Sequence, residues 1–122
     1  MKTKIDEIVI DGQTYVPKSS LTKAETLDGM DYVIVRTYSA GVFAGYLEKR
    51  DGQEVILRKA RRIWYWSGAA SLSQLSIDGS NDQENCKYPE AVDKVELTQA
   101  IEVLYCTEKA RLNIQETKIW KN

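Results

Sequence analysis

Two short stretches hold most of the side chains able to do chemistry. The first is Arg58-Lys59-Ala60-Arg61-Arg62-Ile63-Trp64-Tyr65-Trp66. Guanidinium groups grip phosphates in bidentate fashion and keep their charge when partly buried. Indole and phenol faces stack on nucleobases at about 1–3 kcal/mol each. Read as a strand, the stretch puts Arg62, Trp64 and Trp66 on one face and Arg61, Ile63 and Tyr65 on the other. A cation with two indoles suits a nucleotide; the alternatives are core tryptophans with an arginine rim, or a subunit interface. The second stretch is Thr37-Tyr38-Ser39-Ala40-Gly41-Val42-Phe43, with Arg36 just ahead of it. Small residues let a ligand approach the backbone, whose N–H groups and the Ser39 hydroxyl can hold phosphate or ribose oxygens. Tyr38 and Phe43 flank the turn and can stack on a base. The alternative is a plain hairpin loop with inward-facing aromatics.

Two further candidates stand alone. Lys87 and Tyr88 end a polar loop, from which Tyr88 can close over a base; the plainer reading is a surface turn. Arg111 falls four residues after Thr107 and four before Gln115, so the three share a polar helical stripe, either a ligand contact or a solvated face.

The composition narrows the chemistry. There is no histidine among the 122 residues, which excludes His-based triads, His-liganded zinc and imidazole switches. Two cysteines, Cys86 and Cys106, cannot make a four-Cys zinc site and read as free thiols of a reducing compartment, with a disulfide as the alternative. Asp82, Glu84, Glu90, Asp93 and Glu96 read as solvated charge, and no metal-ligand spacing stands out. The expectation is a binder with no catalytic residues, no metal and no cofactor.

Net charge is −1, but it is unevenly spread. Residues 36–66 carry 7 basic and 3 acidic side chains, between acidic flanks of 4 against 6 and 6 against 9. A basic island in an acidic protein suits a small anionic ligand better than bulk nucleic acid, so neither DNA nor a membrane is expected as partner. No run of 18 apolar residues suggests a transmembrane helix, and the N-terminus lacks the apolar core of a signal peptide.

The elements that must position these residues read as one α+β domain over 1–122, a mostly antiparallel sheet with short helices. Strand signals at 4–10 and 14–16 flank Asp11-Gly12, and Thr22 with Glu25 suggests a short capped helix. Tyr32–Tyr38, Val42–Leu47 and Glu54–Trp66 read as a meander, with Asp51-Gly52 as a hairpin turn. Ser71 and Gln74 form a second capping box for a helix ending at Asp78-Gly79. The polar segment 78–90 is long enough to be functional or mobile. Alternation over 92–105 favours strand, and Thr107 caps a last helix from Glu108 to about Gln115.

Two blocks carry a resemblance. Residues Tyr32-Val33-Ile34-Val35-Arg36-Thr37-Tyr38-Ser39-Ala40-Gly41-Val42-Phe43-Ala44-Gly45-Tyr46-Leu47 are similar to the core of the first Thoeris anti-defence proteins of phages and prophages. So are Ala60-Arg61-Arg62-Ile63-Trp64-Tyr65-Trp66-Ser67-Gly68-Ala69-Ala70-Ser71-Leu72-Ser73-Gln74-Leu75. The likeness runs from about residue 30 to 116. It implies a sponge in the host bacterial cytoplasm that binds a cyclic ADP-ribose isomer, the messenger of a TIR enzyme, and releases it unchanged. It also implies cyclic trinucleotide binding at separate sites in some members, and assembly as a homodimer or as a hexamer built from three dimers. Two other readings of the residues remain: a small nucleic-acid-binding phage regulator, and a structural interaction module.

Overall fold

The protein is described by a computed structural model covering residues 22–122. The strand signals at 4–10 and 14–16 lie outside the described residues. Five strands form one antiparallel sheet: β1 (Asp31–Thr37), β2 (Val42–Asp51), β3 (Glu54–Arg62), β4 (Val92–Leu97) and β5 (Ala100–Tyr105), in the order β4-β3-β2-β1-β5. Among the described residues two α-helices, α1 (Leu72–Asp78) and α2 (Glu108–Glu116), complete an α+β fold dominated by its sheet.

The topology forces the sheet to roll. β4 and β5 occupy opposite edges, yet only Thr98 and Gln99 separate them. Four inter-strand gaps of a flat sheet span about 19 Å, whereas three residue steps reach about 10 Å. Ala100 shows the result: it pairs with Thr37 and donates its N–H to Gln53 O at 3.0 Å, although Thr37 and Gln53 sit toward opposite ends of β2. Irregularities in the β2–β3 ladder, at Glu48 and at Lys59-Ala60, supply the bends.

Rolling gives the sheet two buried faces. Val33, Val35, Phe43, Val55, Leu57, Ala60, Leu97 and Ala100 fill the interior. Tyr32, Ile34, Ala44 and Tyr46 face the other way, under Leu75 of α1, Ala110 and Ile114 of α2, and Cys86 and Tyr88. Double burial explains why β1 reads as an unbroken apolar run and not as an alternation.

Local chemistry sets the helices. Ser71 Oγ accepts from Gln74 N at 3.2 Å, and Gln74 Oε1 accepts in return from Ala70 N at 2.8 Å. Gly79, at φ 73, ends α1 in the left-handed region that glycine tolerates. Thr107 Oγ1 accepts from Ala110 N at 3.1 Å and starts α2. The capping pattern at Thr22 starts no helix. Instead Lys23 bridges Thr107, and the Glu108 carboxylate accepts from Glu25 N at 2.8 Å. The long-range bridge satisfies the donors that a helix would have used.

Segment 78–90 is tied down throughout. Asn113 pins Ser80 through both backbone groups, Ser67 Oγ donates to Asp82, and Gln83 Nε2 reaches Asn113 O and Thr117 Oγ1. Cys86 and Cys106 are free and buried. Burial pushes the Cys106 thiol from its usual 9.0 up to about 12. The native state therefore favours the protonated thiol, so this stabilisation is intact below pH 9 and falls as pH rises toward 12. The expected cost is about 1.4 kcal/mol at pH 10. Urea unfolding at pH 8, 9 and 10 measures it, and Cys106→Ala should flatten the slope. An equally steep slope in the variant would contradict the assignment.

Candidate functional site

Strand β3 ends at Arg62, four residues before the expected limit, because the next residues pair elsewhere. Trp64 N and Tyr65 N both donate to Lys87 O, and Lys87 N donates to Tyr65 O at 2.8 Å. Tyr88 in turn bridges Ile119 in parallel, and Trp120 N donates to Tyr88 O at 3.0 Å. Three extended segments thus lie side by side: 64–65, 87–88 and 119–120.

Their outward side chains form an aromatic platform. Trp64 and Trp120 stack with ring centroids 5.1 Å apart and planes 19° from parallel. The Lys87 ammonium lies 5.4 Å from the Trp64 ring and 5.7 Å from those of Tyr65 and Trp120. Trp64 is 58% exposed, Tyr65 49% and Trp120 39%. Large apolar rings left this open usually mark a binding surface. The half-buried ammonium is held by ring faces and not by a carboxylate among the described residues.

The strand-face grouping of the basic-aromatic stretch holds for Arg61 and Ile63, both buried, and for Arg62 and Trp64, both exposed, and fails beyond them. Trp66 turns inward against the core and donates from Nε1 to Ala69 O at 3.2 Å. Tyr65, placed with the buried Ile63, is exposed. The alternation fails because the stretch leaves the sheet after Arg62.

Arg61 faces inward. It is 6% exposed and donates from Nε to Pro89 O (2.9 Å), from Nη1 to Ile114 O (2.7 Å), and from Nη2 to Tyr88 O and Lys118 O (both 3.0 Å). Burial lowers its pKa from the usual arginine value, and nearby tyrosines counter the shift. Its part is to tie the end of β3 to the 88–89 segment, the end of α2 and the C-terminal tail. A β-bulge aims it there. Gly45 of β2 faces both Lys59 and Ala60, and Lys59 takes φ 50. Gly45 leaves the room this needs, since a Cβ there would sit 3.0 Å from Ala60 Cα and Arg58 O.

Tyr88, expected on a mobile loop, is fully buried. Its hydroxyl lies against the Cys86 thiol without closing a hydrogen bond, and burial, with that thiol, raises its pKa. Arg111 is also engaged. It donates from Nε to Glu108 at 2.9 Å and pairs again through Nη2, while Nη1 reaches Gln115 Oε1 and Tyr46 Oη. The hydrogen bond from Arg111 holds the Glu108 carboxyl below its usual value.

The small-residue turn commits donors to itself and to Gln99. Thr37 Oγ1 donates to Gly41 O and accepts from Ala40 N, and Tyr38 N donates to Gln99 O. Ser39 Oγ donates to Gln99 Oε1 at 2.9 Å, and Arg36 pairs with Glu102. Gly41 takes φ 95, while the Tyr38 ring is 76% exposed. Phe43 is buried, with the Arg62 guanidinium 4.3 Å over its ring and Arg62 Nη1 bound to Ala40 O at 2.6 Å. Ala40, Gly41, Phe43 and Arg62 therefore meet at one place, Trp64 and Lys87 at another, and Arg61 and Tyr88 lie inside.

Sequence reasoning placed neither Tyr65 nor Trp120 in the site. A tryptophan two residues from the end of the chain was the one available signal. Among the described residues no helix is long and apolar enough to cross a membrane. No curated protein and no solved structure matches the chain. Residues 30–114 match the model of the family described as Domain of unknown function (DUF6948).

Proposed function

The chain belongs to the DUF6948 family, and we propose that it binds a small nucleotide messenger, a cyclic ADP-ribose isomer, and returns it unchanged. The observation that carries this reading is the exposed Trp64–Trp120 stack with Lys87 within reach of three rings. Each indole offers a base a stacking face, and the ammonium offers its phosphates a charge. The resemblance of two blocks to the first Thoeris anti-defence proteins supports the same reading, with the host bacterial cytoplasm as the place of action and cyclic trinucleotides as further ligands.

The platform is open on one side, so a single subunit covers one face of a ligand. Nanomolar binding corresponds to about −12 kcal/mol, which calls for a more enclosed pocket. Closure by a second copy, in a homodimer or in a hexamer of three dimers, supplies it. A second reading, an interaction module, draws on β5, an edge strand with Ile101 and Tyr105 exposed.

The test incubates the full chain with cyclic ADP-ribose isomers and cyclic trinucleotides, then heats it and chromatographs what is released. Intact messenger recovered in proportion to protein is the expected result. No retention of either class, or recovery only as cleavage products, overturns the proposal.

A further inference from the structure

A cleft of about 410 Å³ is lined by Lys59, Arg61, Glu90, Ala91, Gln115, Thr117 and Ile119. Ile119 and Trp120 are neighbours in an extended segment, so their side chains leave it on opposite sides. Trp120 joins the platform and Ile119 lines this cleft.

We propose that this cleft is an oxyanion site that takes the phosphate group of a small metabolite. Three observations carry it. Arg61 lines the cleft and is almost wholly buried, yet no carboxylate pairs with it among the described residues. Its charge meets carbonyl dipoles and the face of the Tyr88 ring, 5.4 Å away, but no counter-ion among the described residues, and buried charge is costly without one. Four of the five guanidinium N–H groups are taken by these carbonyls, which leaves one on Nη1. Lys59 adds a second, exposed cation with no ion pair among the described residues. Its φ of 50 is a conformation that costs a non-glycine residue about 1 kcal/mol, and bulges of this kind re-aim side chains beside binding sites.

Glu90 is the opposing charge in the cleft. It weakens a bare anion and accepts a hydrogen bond from a ligand that also carries hydroxyl groups. The site therefore favours a sugar phosphate over inorganic phosphate.

The test is an amide NMR titration of the full chain with inorganic phosphate, ribose 5-phosphate and ribose at constant ionic strength. Saturable shifts at Lys59, Ala91 and Thr117 are expected with both phosphates, tighter with the ester, and none with ribose. Lys59→Asn removes the charge while suiting the left-handed backbone, and is expected to weaken binding about fivefold. Glu90→Gln is expected to tighten inorganic phosphate about threefold. Absence of saturable shifts at the cleft, or unchanged affinity in both variants, overturns the site. Shifts confined to the Trp64 and Trp120 indoles overturn it too, while leaving the platform reading in place.

Discussion

Arg61→Met is expected to lower the free energy of unfolding by about 4 kcal/mol. The side chain donates to four carbonyls: Tyr88, Pro89, Ile114 and Lys118. Methionine fills similar space but leaves those acceptors unpaired in a nearly dry site. Each such loss costs about 1–3 kcal/mol, and partial relaxation reduces the sum. Domains of this size have about 5–15 kcal/mol of total stability, so the variant sits near the edge of folding. Arg61→Lys keeps the charge but not the planar fork, and is expected to recover less than half. Urea unfolding with an unchanged m-value measures both. A methionine variant that unfolds at the parent midpoint would show that the carbonyls find other partners. The tie also reaches the platform, because Tyr88 and Lys118 flank Lys87 and Trp120.

The second large effect concerns binding. Trp64→Ala and Trp120→Ala are each expected to weaken the messenger by about 30-fold, from a stacking loss of about 2 kcal/mol. Both rings are exposed, so stability should fall by less than about 1 kcal/mol, the worth of the lost aromatic pair. That split between affinity and stability separates a ligand surface from a core contact. Tyr38→Ala serves as the contrast. Tyr38 is the most exposed of the large hydrophobic residues but lies on a turn tied to itself and to Gln99, and its loss should leave affinity unchanged.

The parts of the fold legible in the sequence are those set by near neighbours. Tyr32–Val35 and the Asp51-Gly52 turn placed β1 to β3, and Ser71, Gln74 and Thr107 placed the helix starts. The parts that stayed hidden depend on distant partners. Thr22 and Glu25 carry a capping pattern, yet Thr107 and Glu108, some 80 positions on, claim that backbone. Lys87 ended β3 early by pairing with Trp64 and Tyr65. Alternation separates Arg61 from Arg62, but the bulge at Lys59-Ala60 decides which face each takes, so Arg61 points inward with Ile63 while Arg62 stays exposed.

The candidate site follows the same division. The basic-aromatic stretch was recognisable as the place where ligand chemistry concentrates, and Trp64 and Lys87 do come together there. Trp120 joins them only because the C-terminal tail lies against Tyr88, a contact across more than 30 residues. Arg61, Tyr88 and Arg111 suit a ligand by residue type and local position, and the spacing that sets Arg111 beside Gln115 does hold. Burial places Arg61 and Tyr88 inside, and internal hydrogen bonds engage most of the donors of Arg61 and Arg111.

One measurement bears most directly on the platform as a nucleotide-messenger site: parallel calorimetric titration of the parent and of a Trp64→Ala/Trp120→Ala double variant with a cyclic ADP-ribose isomer. The expected result is saturable, tight binding by the parent and affinity at least 100-fold weaker in the variant, both proteins being folded by circular dichroism. A parent that releases no heat of binding, or a double variant that binds as tightly as the parent, would contradict it.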